Sequence, residues 1–105
     1  MSLQRYGSTE LAGVYFEIHR ERWRAHNKHG AAGNSREDAT WDNAEWLPVL
    51  TEELGEVAHE LTYDVQPKPG ELDGVEGIKA RLRKELVQVA AMATAWIDAI
   101  DRSQP

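Results

Sequence analysis

Residues 50–57, LTEELGEV, and residues 82–89, LRKELVQV, are one phrase written twice, 32 positions apart. Leu50, Glu53, Leu54, Glu56 and Val57 recur as Leu82, Glu85, Leu86, Gln88 and Val89. In both copies the apolar residues fall at i, i+4 and i+7, the spacing of one helical face. The acids keep a constant angle to that face. On the first copy Glu53 lies about 80° and Glu56 about 140° from the centre of the stripe, with Glu60 between them; on the second, Glu85 lies about 70° and Gln88 about 130° away. The phrase predicts two helices with matching apolar stripes and matching acidic edges. Packing the stripes together is expected to bring Glu53, Glu56, Glu85 and Gln88 toward one another. Glu52 points nearly opposite and is expected in solvent.

Working outward, Leu47, Leu50, Leu54, Val57 and Leu61 make the stripe of a helix from about Asp42 to about Asp64. Asp42-x-x-Glu45 has the outline of a capping box at its start. Pro48 is expected to produce either a short separate turn at 42–46 or a kink, because proline suits a first turn and disturbs a helix interior. Pro67, Pro69 and Gly70 predict a loop over 65–73. Asp73-x-x-Glu76 is the cap expected for a last helix reaching about Asp101, with the stripe Leu82, Leu86, Val89, Ala93, Trp96, Ile97 and Ile100. Upstream, Leu11, Val14, Tyr15 and Ile18 give a first helix over 8–27, capped by Ser8 or Thr9 and ended by Gly30 and Gly33. A polar connection follows over 28–41. No segment alternates with period two, so no sheet is expected. The fold class is all-α.

The chain has 105 residues and is expected to be a single domain, 1–105. A domain of this size buries only about 60–68% of the surface its unfolded chain exposes. Four tryptophans are therefore expected to find part of their cover between subunits, which predicts a homo-oligomer. The absence of cysteine excludes disulfides, thiol nucleophiles and thiolate metal sites, and fits a cytoplasmic location. A net charge of -6 argues against nucleic acid as a partner. No apolar run is long enough for a membrane span, and no signal peptide is expected.

Carboxylates brought as close as the two acidic edges predict repel one another, and a divalent cation removes the conflict. Oxygen ligands of this kind suit Mg²⁺ or Mn²⁺, which keep positions open for phosphates. Glu56-x-x-His59 is a competing pattern, the local signature of di-iron carboxylate bundles. His59, however, points away from the edge that corresponds to Glu85. Lys28, Arg81 and Lys84 are the cations placed to touch phosphate. Trp41 and Trp46 suit either base stacking or burial, whereas Trp96 lies in a core stripe. His19, His26 and His29 form no constellation.

Glu52-Glu53-Leu54-Gly55-Glu56, followed by Glu85-Leu86-Val87-Gln88, resembles the E-E-x-x-E … E-x-x-D signature of the MazG-like all-α nucleoside triphosphate pyrophosphohydrolases. Leu82 to Asp101 looks like the last helix of small phage and actinobacterial members. Glu21-Arg22 through Lys28-His29-Gly30 resembles an upstream E-R-x-x-Q-x-x-K-W-G segment, with Ala25 and His29 where Gln and Trp would stand. The resemblance spans roughly residues 15–101. It implies a helical bundle completed by oligomerisation into a homodimer or homotetramer. It also implies hydrolysis of a (deoxy)nucleoside triphosphate to the monophosphate and pyrophosphate, with Glu53, Glu56 and Glu85 as catalytic metal ligands. Gln88 stands at the motif's last acid. It offers an amide oxygen without charge, so it is expected to weaken or remove one metal position. That departure keeps open a non-catalytic or weakly active oligomer that binds metal and nucleotide.

Overall fold

In the computed structural model, the structure describes residues 8–30, 42–62 and 65–103, and at 26–30 the backbone alone. These residues form three helices, α1 (Thr9–Gly30), α2 (Asn43–Thr62) and α3 (Gly74–Arg102), and no strand occurs among them. None of the helices is long and apolar enough to cross a membrane.

The helix ends follow from local chemistry. Ser8 Oγ accepts the Leu11 N–H at 3.3 Å, which makes Ser8 the cap of α1. The described helix runs to Gly30, three residues past 27, and Gly30 is one of the two glycines expected to end it. Asp42 Oδ1 accepts the Glu45 N–H at 3.0 Å and starts α2. Helical hydrogen bonding then runs through Pro48 without a separate turn at 42–46. Pro48 lies in the second turn, where its missing N–H deprives the Ala44 carbonyl of its helical donor. Between α2 and α3, Pro69 and Gly70 occupy the centre of a β-turn closed by the Glu71 N–H on the Lys68 carbonyl at 2.9 Å. Gly70 has φ 89°, which the second central position of a type II turn demands. Asp73 holds the N-cap position of α3, but its side chain makes no capping bond, contrary to the expected box.

Both α1 and α2 pack on α3 and barely touch each other. The α2–α3 pair is antiparallel: Trp96 Nε1 donates to Asn43 Oδ1 at 2.9 Å at one end, and Arg81 Nε donates to Glu60 Oε2 at 2.9 Å at the other. Arg83 forks onto Glu17 at 2.6 and 2.7 Å, and Arg22 meets Asp98 at 3.3 Å, tying α1 to α3.

The expected apolar stripes are only partly covered. Among the described residues, Trp46, Ala91 and Ala95 are the buried hydrophobic residues, and Gly77 is buried with them. Leu50 and Val57 of α2 and Leu82, Val89, Ala93 and Trp96 of α3 are half-buried. Leu47, Leu54 and Leu61 of α2 and Leu86, Ile97 and Ile100 of α3 stay exposed, at 38–65%. A methyl group added at Gly77 would overlap the Leu72 carbonyl oxygen in the loop before α3.

Candidate metal centre

The acidic edges of α2 and α3 come together. Glu53 and Glu56 sit one turn apart on α2, and Glu85 faces them from α3. One carboxylate oxygen from each lies within 4.8 Å of the other two. No other set of three His, Asp or Glu ligand atoms gathers like this among the described residues. Glu53 and Glu85 are half-buried and Glu56 is exposed, so the group opens to solvent on one side.

Glu85 carries the electrostatic strain. Its carboxyl is pushed up from the ordinary 4.5 to about 7. Burial is the largest cause, followed by a hydrogen bond with Glu56 and the negative charges of Glu56 and Glu53, with Lys84 opposing. Near neutral pH protonated Glu85 thus donates to the Glu56 carboxylate. Glu85 Oε2 is sealed from solvent and meets no hydrogen-bond donor among the described residues. A buried carboxylate oxygen without a donor is costly, and a cation would satisfy it. Three carboxylate oxygens from two helices, open on one side, could hold a divalent cation that takes oxygen ligands.

The remaining candidates scatter around this group. Glu60, which shares the acidic edge, is occupied by Arg81, and both side chains are close to buried at 11% and 12%. Arg81 therefore braces α2 against α3. His59 is exposed and does not join the group of three acids. Glu52 is exposed, as its position on the wheel predicts. Lys84 is exposed beside Glu85, and Gln88 is half-buried one turn on. Both line the wall of a cleft between α1 and α3. Trp46 is enclosed in the core. Trp41 and the side chains of Lys28, His26 and His29 lie outside the described residues.

The cleft itself was not apparent from the periodic pattern. Its α1 wall includes Glu17, Arg20, Glu21 and Arg24, two acid–base pairs each at i, i+3 spacing. That spacing marks one charged face of a helix, but only packing on α3 makes it concave.

No protein-family model, no curated protein sequence and no solved structure matches this chain.

Proposed function

We propose that this chain is a MazG-like, Mg²⁺-dependent nucleoside triphosphate pyrophosphohydrolase that works as a homodimer or homotetramer. The observation that carries this reading is the convergence of Glu53, Glu56 and Glu85 within 4.8 Å. These are the three acids that the resemblance to the E-E-x-x-E … E-x-x-D signature singles out. Glu53, Glu56 and Glu85 would hold Mg²⁺, with Mn²⁺ as the alternative ion, and Gln88 is the fourth candidate through its amide oxygen. When bound, the ion supplies positive charge that neutralises the polyphosphate and favours attack at the α-phosphorus. One of the three carboxylates would take a proton from the attacking water. The new bond joins the water oxygen to the α-phosphorus. The bond from the α-phosphorus to the α,β-bridging oxygen breaks, and pyrophosphate leaves with that oxygen, giving the monophosphate. Lys84, whose positive charge reaches Glu85, would meet the phosphates.

The oligomeric part of the proposal rests on surface the chain leaves bare. Its accessible area is 7924 Å², whereas a compact monomer of 11.9 kDa exposes about 5,900 Å². Its radius of gyration is 15.9 Å, against about 13 Å for a compact domain of this length. The exposed stripes of α2 and α3 run along helices that both contribute acids, so a second copy placed there completes the bundle. A metabolite substrate and a chain without cysteine fit the cytoplasm, with neither nucleic acid nor membrane as partner.

The test is a panel of canonical and modified (d)NTPs with Mg²⁺ and Mn²⁺, assayed for pyrophosphate against orthophosphate. Pyrophosphate release is expected, falling on the order of 10²-fold or more in Glu53→Ala or Glu56→Ala. Turnover that survives both substitutions sinks the assignment. Gln88, neutral where the motif has an acid, favours a second reading, an oligomer that binds metal and nucleotide with little turnover. Metal-dependent nucleotide binding without pyrophosphate release would select it.

A further inference from the structure

The cleft between α1 and α3 encloses about 850 Å³, within the range of small-molecule sites. Its chemistry differs from that of the chain as a whole. Four cations, Arg20, Arg24, Arg83 and Lys84, line it against two carboxylates, a positive balance in a protein of net charge -6. The two carboxylates are already engaged. Glu17 is held by Arg83 at 2.6 Å and Glu21 by Arg24 at 2.6 Å. Arg20 and Lys84 have no ion-pair partner among the described residues, and both are exposed. The Trp23 ring, 65% exposed, stands at the same cleft, with Val87 as an apolar patch on the opposite wall. The charge of Arg20 reaches Glu17 and that of Lys84 reaches Glu85, yet neither is held in a salt bridge among the described residues. Such cations beside a largely exposed indole suit a ligand that joins phosphate to a flat ring.

The rim connects this cleft to the acids. Lys84 precedes Glu85 in the chain, and Gln88 lies one turn beyond it, so both border the side of α3 from which Glu85 projects. We propose that the cleft seats the nucleoside triphosphate, with polyphosphate on Arg20 and Lys84, the base against Trp23, and the Gln88 amide where the phosphates leave the cleft toward Glu85. Gln88 then has a reason to be neutral. A carboxylate in this wall would repel the phosphates that Arg20 and Lys84 attract, whereas an amide N–H donates to them. The substrate class rests on the hydrolase reading; the cleft's charge and shape do not.

The experiment measures equilibrium binding, not turnover, with an α,β-methylene deoxynucleoside triphosphate and with inorganic tripolyphosphate, each in EDTA and in Mg²⁺. Arg20→Ala and Lys84→Ala remove exposed side chains without an ion-pair partner, so the fold is expected to survive, and circular dichroism checks it. Each is expected to weaken both ligands roughly 10-fold in EDTA, while Glu53→Ala leaves EDTA binding unchanged. Trp23→Leu should weaken the nucleotide and spare tripolyphosphate. Gln88→Glu should weaken both, while Gln88→Met should weaken them less. Nucleotide affinity indifferent to Arg20, Lys84 and Gln88 overturns the cleft and leaves the hydrolase reading standing. Cleft-dependent binding with no pyrophosphate release overturns the hydrolase reading alone. A wild-type protein that binds neither ligand overturns both.

Discussion

Glu85 is the residue at which the folded chain is least at ease without a cation. Its carboxyl titrates near 7 when folded and near 4.5 when unfolded, so between those values the folded state holds more protons. The stability this group contributes is complete below about pH 4.5 and is lost as pH rises through about 7. Melting in EDTA is therefore expected to show a declining Tm from pH 5 to pH 8, with the slope reduced in Glu85→Gln. Mg²⁺ or Mn²⁺ at pH 8 should raise the Tm, and metal added near pH 6 should release protons, read as a dependence of binding heat on buffer ionisation. A Tm in EDTA that is flat across this range would show that neither burial nor the charges of Glu56 and Glu53 hold the Glu85 carboxyl up.

At the scale of the element, α2 and α3 were largely legible before any packing was known. Ser8 and Asp42 cap their helices through the bonds their residue types suggest, and the Pro69-Gly70 turn lies where its residues demand it. The separate turn expected before Pro48 does not form, and Asp73 makes no capping bond, because each depends on more than its immediate neighbours. The remaining helix bonds of α2 tolerate one missing donor, and α3 begins at Gly74 with φ 63°, without help from the Asp73 side chain. Gly77 is the element-scale feature that pattern reading undervalues. A glycine inside a helix ordinarily costs about 1 kcal/mol relative to alanine. Here the Leu72 carbonyl occupies the space a methyl would need. Gly77→Ala should therefore destabilise the fold despite its better helix propensity, by about 1–3 kcal/mol in urea unfolding. A more stable Gly77→Ala protein would mean that the loop before α3 moves aside freely.

At the scale of the whole molecule, the three helices cover only part of their apolar stripes and leave Leu47, Leu54, Leu61 and Leu86 exposed. Under the oligomeric proposal this arrangement is expected, since the broadest apolar stripe is the part of the core that a second copy supplies. Leu61 and Ile97, 65% and 60% exposed, can accept a lysine without disturbing the single chain. Leu61→Lys with Ile97→Lys is expected to convert a dimer or tetramer to a monomer in light scattering. Helical content should persist and the Tm should lose its dependence on protein concentration. A wild-type chain that is monomeric at micromolar concentration would remove the oligomer from the proposal. The amino-acid sequence by itself determined three helices, their caps and turns, and the repeated acidic edge, because each of these rests on contacts within about one turn of the chain. The repeated edge also predicts that Glu53, Glu56 and Glu85 meet, as they do. Only the tertiary structure decided that Glu60 is taken by Arg81 and that the charges of α1 wall a cleft against α3. Both outcomes join residues far apart in the chain, through the way α1 and α2 pack on α3, and no spacing within one helix fixes that.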